Sequence, residues 1–292
     1  MNKLRIALAI GAALATLPAS AHVSYTNRDF GTFSGLSAQS VTIANQAATS
    51  NYGWADAADA DWGDSHKVKW YSFTLTNASD VTISASAKGD ATGTSVGGLL
   101  PGFSLYSGKA VASAYDSSFL SWQYRKMLSP EVTTPVWNTP SGTNMYGSLK
   151  TAGALTAGLP GYEGSLNVRG NVTMGNDAGA TGTLSFIGYA VDGDKSNFSM
   201  GFEAGIVGDG VKDGFVTKTF HLAAGTYSVV IGGADYEQGL NPTDPLALKA
   251  YGISATVAAV PEPETYALLL AGLGLMGTIA RRRSSTSVKN ER

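Results

Sequence analysis

In the stretch Lys67-Val68-Lys69-Trp70-Tyr71-Ser72-Phe73-Thr74-Leu75, large apolar side chains (Val, Trp or Tyr, Phe and Leu) recur at about every second position. The alternation resumes in Val81-Thr82-Ile83-Ser84-Ala85, directly after residues 77–80, of which Asn77, Ser79 and Asp80 are polar. A period of two places the apolar side chains on one face of a β-strand. The two segments therefore predict a pair of antiparallel strands joined by a turn at residues 77–80.

Further segments of this kind lie downstream, and each is short and bounded by Gly or polar residues: 103–106, 220–233 and 251–257. Helical periodicity is scarce between these segments. The 36 Gly among 292 residues are too many for a helical bundle, and a hydrophobic fraction of 43% is too high for a disordered chain. We predict one all-β domain over residues 22–259, a two-sheet β-sandwich.

The charge and cysteine content exclude several functions. Residues 22–259 hold 13 basic and 19 acidic side chains, a net charge of −6, and they contain no cluster of Lys and Arg with interleaved aromatic residues. Such a surface repels phosphate backbones, so no nucleic-acid partner is expected. The chain has no Cys, which excludes disulfides, thiolate zinc sites and cysteine nucleophiles.

The N-terminal 21 residues have the organisation of a secretory signal peptide. Lys3 and Arg5 precede an uncharged stretch from residue 6 to residue 17, and small residues occupy positions 19–21. The apolar stretch is too short to span a bilayer permanently. We expect cleavage between Ala21 and His22.

The C-terminal residues 260–292 contain a Pro-rich motif, an apolar segment and a basic cluster in this order. Pro261-Glu262-Pro263 precedes an uncharged segment rich in Leu and Gly, from Tyr266 to Ala280, which ends at Arg281-Arg282-Arg283. This order resembles the PEP-CTERM sorting signal of bacterial surface proteins. The resemblance implies a short transmembrane helix, processing by a membrane peptidase of the exosortase type, and an association with exopolysaccharide. The three Arg would hold the end of the helix on the cytoplasmic side.

The predicted core is also similar to the pre-peptidase C-terminal type of bacterial β-sandwich, and this resemblance implies a jelly-roll-like arrangement of its strands. The similarity lies in the segments 70–75 with 81–83, then 103–108, and then 224–233. It is interrupted by a loop-rich insertion, about residues 117–185, whose aromatic residues indicate an ordered segment packed on the sandwich or extending its sheets. In that family such modules are accessory domains and not catalysts.

Four acidic residues form a candidate metal site in front of the first strand quoted above. Asp56, Asp59, Asp61 and Asp64 lie within nine residues. Carboxylates crowded this closely repel one another unless a cation or backbone donors compensate them. A loop of oxygen ligands suits Ca²⁺, which tolerates irregular geometry, although the spacing is not that of an EF-hand. The alternative is that these Asp residues cap turns and face water.

A copper site at the mature N-terminus is a further hypothesis. An N-terminal His22 could chelate copper through its amine and its ring, as in oxidative polysaccharide monooxygenases, but a second His is required. His66 and His221 are the candidates that the chain offers. The residues around His22 do not otherwise resemble that enzyme family, and His221 fits an ordinary strand residue.

We interpret the chain as an exported, non-enzymatic protein of the cell surface or extracellular matrix. A carbohydrate-binding module is the alternative, and a metal-dependent secreted enzyme is the third possibility. The sequence does not distinguish aromatic residues that bind sugars from those that pack in a sandwich core.

Overall fold

The computed structural model describes most of the sandwich and part of the C-terminal segment. The described residues are 23–54, 62–65, 67–111, 165–175, 181–193, 206–235, 238, 245–261, 268, 270–279 and 281. The prediction of an all-β sandwich is confirmed, because two sheets of six and four strands form the body of the domain.

Twelve strands are described, together with a short 3-10 helix at Pro245–Leu248. The strands are β1 (Asp29–Phe33), β2 (Gln39–Thr49), β3 (Trp62–Asp64), β4 (Lys69–Leu75), β5 (Ser79–Ala87), β6 (Pro101–Ser107), β7 (Ser165–Asn167), β8 (Val172–Gly175), β9 (Thr181–Val191), β10 (Phe215–Leu222), β11 (Gly225–Gly233) and β12 (Ala250–Pro261). The larger sheet has the order β1-β4-β11-β6-β9-β8, the smaller one has the order β10-β5-β12-β2, and β3 pairs with β7.

The predicted hairpin between the first two strands is wrong, because β4 and β5 belong to different sheets. β4 pairs with β1 and β11, whereas β5 pairs with β10 and β12. The chain crosses between the sheets at residues 76–78, where Asn77 Nδ2 and Thr76 Oγ1 both donate to the carbonyl of Ser34, at 2.6 and 3.1 Å. Two alternating strands face each other across a sandwich as readily as they pair within one sheet, so the pattern alone did not separate the two arrangements.

The main core lies between the two sheets. Phe73 of β4 stacks on Tyr227 of β11 with ring centroids 5.1 Å apart, and Phe33 meets Phe73 edge to face. From the smaller sheet, Ile83 and Val257 point into the same core and are almost fully buried. Alternation along β5 and β12 therefore sends every second side chain inward and leaves the others on the outer face of the smaller sheet.

A second buried cluster covers the outer face of the larger sheet. Its centre is Trp54, which is fully buried and donates from Nε1 to Ser104 Oγ at 2.9 Å. Tyr106, also fully buried, donates its hydroxyl to the carbonyl of Asn167 in β7 at 2.5 Å. The larger sheet is thus buried on both faces, and this is why Trp70 and Tyr71, adjacent in β4, are both buried.

The described end of the predicted insertion contributes to both layers. β7 pairs with β3 over the second cluster, and β8 pairs with β9 and extends the larger sheet. Leu166 and Val172 from this segment are fully buried. The segment after residue 164 is therefore packed on the sandwich and also extends one of its sheets, whereas residues 117–164 of the predicted insertion lie outside the described residues.

Candidate sorting site

The C-terminal sorting signal begins inside the sandwich. β12 lies between β5 and β2, and its pairing with β5 continues through Ala259 opposite Val81 to Pro261 opposite Ser79. Ala259 is fully buried and Pro261 is also buried, whereas Val260 between them is 44% exposed. The strand therefore ends with the first residue of Pro261-Glu262-Pro263, and no spacer separates the folded core from the motif.

The apolar segment that follows is helical over residues 270–279, with Leu268 and Arg281 also helical. Its large apolar side chains are 48% to 74% exposed: Leu268, Leu270, Leu273, Leu275, Met276 and Ile279. These positions surround most of the helix, so the described part of the helix has no single apolar face that packs on the sandwich.

We expected this segment to form a short transmembrane helix. None of the helices among the described residues is both long and apolar enough to cross a bilayer. The transmembrane prediction is therefore not confirmed.

Two of the sequence-predicted sorting residues are described. Pro261 closes β12, and Arg281 follows the described helix as an exposed residue. Glu262, Pro263, Arg282 and Arg283 lie outside the described residues, and so do Ala21 and His22 at the predicted N-terminal cleavage site.

A comparison with known protein families decides the nature of this segment. Residues 259–284 match the PEP-CTERM protein-sorting motif. The chain carries a PEP-CTERM sorting signal. This signal indicates export to the cell surface or extracellular space with transient anchoring in the membrane, and it implies processing by an exosortase, a membrane peptidase. The match begins at Ala259, within β12.

Comparisons with curated proteins and solved structures add little about the sandwich. No curated protein matches the chain. CorA, a surface-associated copper-binding protein of Methylomicrobium album BG8, is 16% identical; the alignment covers 82% of this chain and 99% of CorA, with a TM-score of 0.43. The secreted protein MopE of Methylococcus capsulatus, whose structure is described with an oxidized tryptophan that facilitates copper binding, is 15% identical over 80% of this chain and 87% of MopE, with a TM-score of 0.35.

At these scores the likeness is too weak to assign a common fold or a shared ligand. The similarity of the core to the pre-peptidase C-terminal type of sandwich is not shown by the comparisons and stays a prediction.

Of the four predicted calcium ligands, Asp64 is the one that lies among the described residues. Its carboxylate forms an ion pair with Lys67 at 3.0 Å, and the Lys67 ammonium also lies 4.1 Å from the centre of the Tyr52 ring. Burial lowers the pKa of Lys67, but the Asp64 carboxylate and Tyr52 outweigh burial, so the pKa is raised overall. Asp64 is therefore compensated by a protein cation.

The other three acidic residues, Asp56, Asp59 and Asp61, lie outside the described residues. Within the part of the chain that the structure describes, no group of three or more Asp, Glu or His side chains could hold a metal ion. Calcium binding stays a prediction.

Of the three His residues in the copper hypothesis, His221 is the one that lies among the described residues. This residue lies on β10, and its Nδ1 is 3.0 Å from Asp80 Oδ1 on the neighbouring strand β5. His22 and His66 lie outside the described residues. His221 is thus one half of an exposed cross-strand pair.

A buried carboxylate, that of Asp192, holds two loops together. Asp192 is fully buried, and its two oxygens accept backbone N–H groups from Asp213 at 3.1 Å and from Gly214 at 2.8 Å. Burial raises the pKa of Asp192 to about 6, although the two N–H groups lower it; the Asp209 and Asp213 carboxylates raise it further. Nothing in the sequence distinguishes this Asp from those that face water.

The raised pKa of Asp192 predicts a pH-dependent stability. The folded state binds the proton more tightly than the unfolded state, so protonation stabilises the fold. This stabilisation is fully present below the unfolded pKa of about 3.9, and it is lost as pH rises through about 6. In urea unfolding at pH values between about 4 and 7, wild type should lose stability relative to Asp192→Asn as pH rises. A difference that is constant, or that grows in the opposite direction, would contradict this assignment.

Proposed function

We propose that the sandwich is the non-enzymatic cargo of the sorting signal, a surface domain that remains in the extracellular matrix with exopolysaccharide after exosortase processing. The observation that carries this proposal is the continuity of β12 with the matched motif. A domain whose last strand ends at Pro261 reaches the membrane together with its signal, and processing beyond that strand leaves the fold complete.

The short connection limits where the domain can lie before processing. Six residues separate Pro261 from Leu268, the first described helical residue. At no more than about 3.6 Å per residue, with seven steps between the two Cα atoms, they reach at most about 25 Å. The sandwich therefore stays close to the membrane surface while the signal anchors the chain, with the β12 end directed toward the membrane.

Cleavage before Pro261 is disfavoured by the pairing of β12 within the smaller sheet. A peptidase needs an extended and accessible backbone, but residues up to Pro261 are hydrogen-bonded to β5 and Ala259 is fully buried. Exposing them requires the loss of a central strand, which costs a large part of the unfolding free energy. Pro261 is therefore expected to remain in the mature protein.

Processing at both ends is the test. Intact-mass analysis of protein extracted from the cell surface should show a chain that starts at His22, includes Pro261 and lacks Arg281-Arg282-Arg283. Replacing these three Arg by Ser should abolish C-terminal processing, because the helix loses the charges that hold its end in the cytoplasm.

The matched control is the pair Lys289→Ser and Arg292→Ser, which removes basic residues beyond the cluster and should leave processing unchanged. Recovery of the intact 292-residue chain from the wild-type surface would refute the proposal. A mature chain that ends before Pro261 would refute the protection of β12.

A further inference from the structure

The outer face of the smaller sheet is a flat array of hydroxyl groups. We call part of this outer face the hydroxyl face and define it by nine outward Ser and Thr residues with Phe215 at one corner: Ser40, Thr42, Thr82, Ser84, Ser86, Thr217, Thr219, Ser254 and Thr256. Asp80, His221 and Val260 form the next outward row. All of these residues are exposed or half-exposed. The inward neighbours in β5, β10 and β12 form part of the main core, so the face is a product of alternation along these three strands.

The strand register aligns these hydroxyls in rows across the sheet. In the middle row Thr217 lies opposite Ser84, Ser84 opposite Thr256, and Thr256 opposite Thr42. The row crosses all four strands, and at about 4.8 Å per strand spacing it is about 14 Å long.

Hydrogen bonds between neighbouring hydroxyls fix their orientation. Thr42 and Thr256 are 2.8 Å apart, and Ser84 and Thr217 are 2.9 Å apart. In the next row, Thr82 and Thr219 are 2.8 Å apart. Thr217 Oγ1 also donates to the Ile83 carbonyl at 3.3 Å, so the Ser84–Thr217 pair offers mainly lone pairs. The Thr42–Thr256 and Thr82–Thr219 pairs each use one of their two O–H groups internally, so one donor and several lone pairs remain for an external partner. The face therefore presents both donors and acceptors at fixed positions.

The ten residues of the hydroxyl face carry no charge, although the chain has 42 Lys, Arg, Asp and Glu residues in total. The next outward row of the same sheet holds Asp80 and His221, whose side chains pair with each other at 3.0 Å. Surfaces of small domains usually contain about a quarter or more of such residues. An uncharged face gives no electrostatic attraction to an anionic or cationic partner. The complementary ligand is a neutral molecule that also offers many donors and acceptors.

Phe215 adds an apolar surface to the same face. Its side chain is 43% exposed, and it lies opposite Ser86 at the end of one row. An aromatic ring beside hydroxyl groups complements a sugar ring, which has a C–H face and hydroxyl edges. This combination favours a carbohydrate over other neutral ligands.

The size of the face argues against a second copy of this chain as the occupant. Three rows along the strands span about 14 Å, so the array covers roughly 200 Å². A stable protein interface buries about 800 Å² on each partner, with a more apolar centre. An extended glycan chain needs only a narrow strip of surface.

We propose that the hydroxyl face binds a neutral polysaccharide, with the sugar rings following the rows and one ring stacked on Phe215. The inference rests on the proposed function only in that export brings the face into contact with extracellular polysaccharide. Binding itself depends on the folded sandwich and not on the sorting signal.

Affinity electrophoresis in native gels tests this proposal. The protein is purified from whole cells in detergent, so the readout does not depend on sorting, and the gels contain dextran, xyloglucan, galactomannan or the anionic alginate. At least one neutral polysaccharide should retard the protein, and the retardation should persist at about 0.5 M salt, where the Debye length is only a few ångströms. The fourfold variant Thr42→Val, Thr82→Val, Thr219→Val and Thr256→Val should bind on the order of tenfold more weakly, since several hydrogen bonds are lost.

The matched control is Thr74→Val with Thr226→Val. These residues form the same kind of cross-strand pair, 3.2 Å apart, but on the larger sheet. The control should bind as wild type does, and Phe215→Ala should bind more weakly. Val keeps the β-branch, and melting temperatures verify that each variant is folded.

Three results would overturn the proposal. One is the absence of retardation by all three neutral polysaccharides. Another is retardation by alginate alone that disappears with salt, which would indicate a charged site elsewhere. The third is a dimer in light scattering that the fourfold variant dissociates, since the occupant would then be a second copy.

Discussion

A chain that ends at Lys249 should fail to fold, whereas a chain that ends at Pro261 should be as stable as the full-length protein. The shorter chain lacks β12, the strand between β5 and β2 in the smaller sheet. It also loses the buried side chains of Tyr251, Ile253 and Val257 from the main core. Each of these contributes roughly 1.5–3 kcal/mol by burial alone, and two sets of backbone hydrogen bonds are lost with them. Natural domains have about 5–15 kcal/mol of stability in total, so the deficit removes the fold.

Circular dichroism and limited proteolysis of three chains without the signal peptide, ending at residues 249, 261 and 292, measure this effect. The chain that ends at 261 tests whether the sorting signal contributes to the fold. Strand-type spectra and protease resistance in the chain that ends at 249 would show that β12 is dispensable. A chain ending at 261 that melts far below the longest one would show that residues beyond Pro261 stabilise the sandwich.

Trp54→Ala should lower the free energy of unfolding by about 3–5 kcal/mol, the range observed for large aromatic side chains in packed cores. Trp54 is fully buried in the second cluster, and its Nε1 hydrogen bond to Ser104 is lost as well. For a domain of this size, such a change corresponds to a decrease of roughly 10 °C in melting temperature. Urea unfolding followed by circular dichroism provides the measurement.

Gly102 supplies the control for Trp54. A Cβ added at Gly102 would lie 2.5 Å from Trp54 Cδ2, so Gly102→Ala should destabilise the wild type. In the Trp54→Ala background the indole is absent and the added methyl group occupies part of the cavity, so the same change should cost much less. Equal and additive costs would show that the two residues do not contact each other as described.

The parts of this protein that depend on linear pattern could be predicted from the sequence. The sorting signal is read in order along the chain, and the alternation of β5 and β12 marks strands with one buried face. The partner of each strand was not predictable in the same way. β4 and β5 have the same pattern whether they pair or face each other, and the choice is made by contacts with distant strands such as β11.

The second cluster was missed for a related reason. Trp54 lies in a loop, and its partners Leu166 and Val172 are more than 100 residues away in the segment that sequence analysis treated as an insertion. No local periodicity indicates such a contact. The hydroxyl face, in contrast, could be anticipated from the spacing of Thr82, Ser84 and Ser86. Sequence analysis used only the inward, apolar residues of the same strands, from which it predicted the sandwich. Of the four predicted metal ligands, Asp64 forms an ion pair with Lys67. The spacing of the two residues in the sequence is not enough to predict this contact.

The position of β12 also sets the order of events during export. The predicted signal peptide would lead the chain out of the cell from its N-terminus, so β2 and β5 would be exposed long before β12. They cannot close the smaller sheet without it, because β12 lies between them. The sandwich is therefore completed only when Pro261 has emerged, at the moment when the apolar segment and its Arg cluster enter the export channel. The chain would therefore be arrested in the membrane at the same stage of export at which the addition of β12 completes the fold.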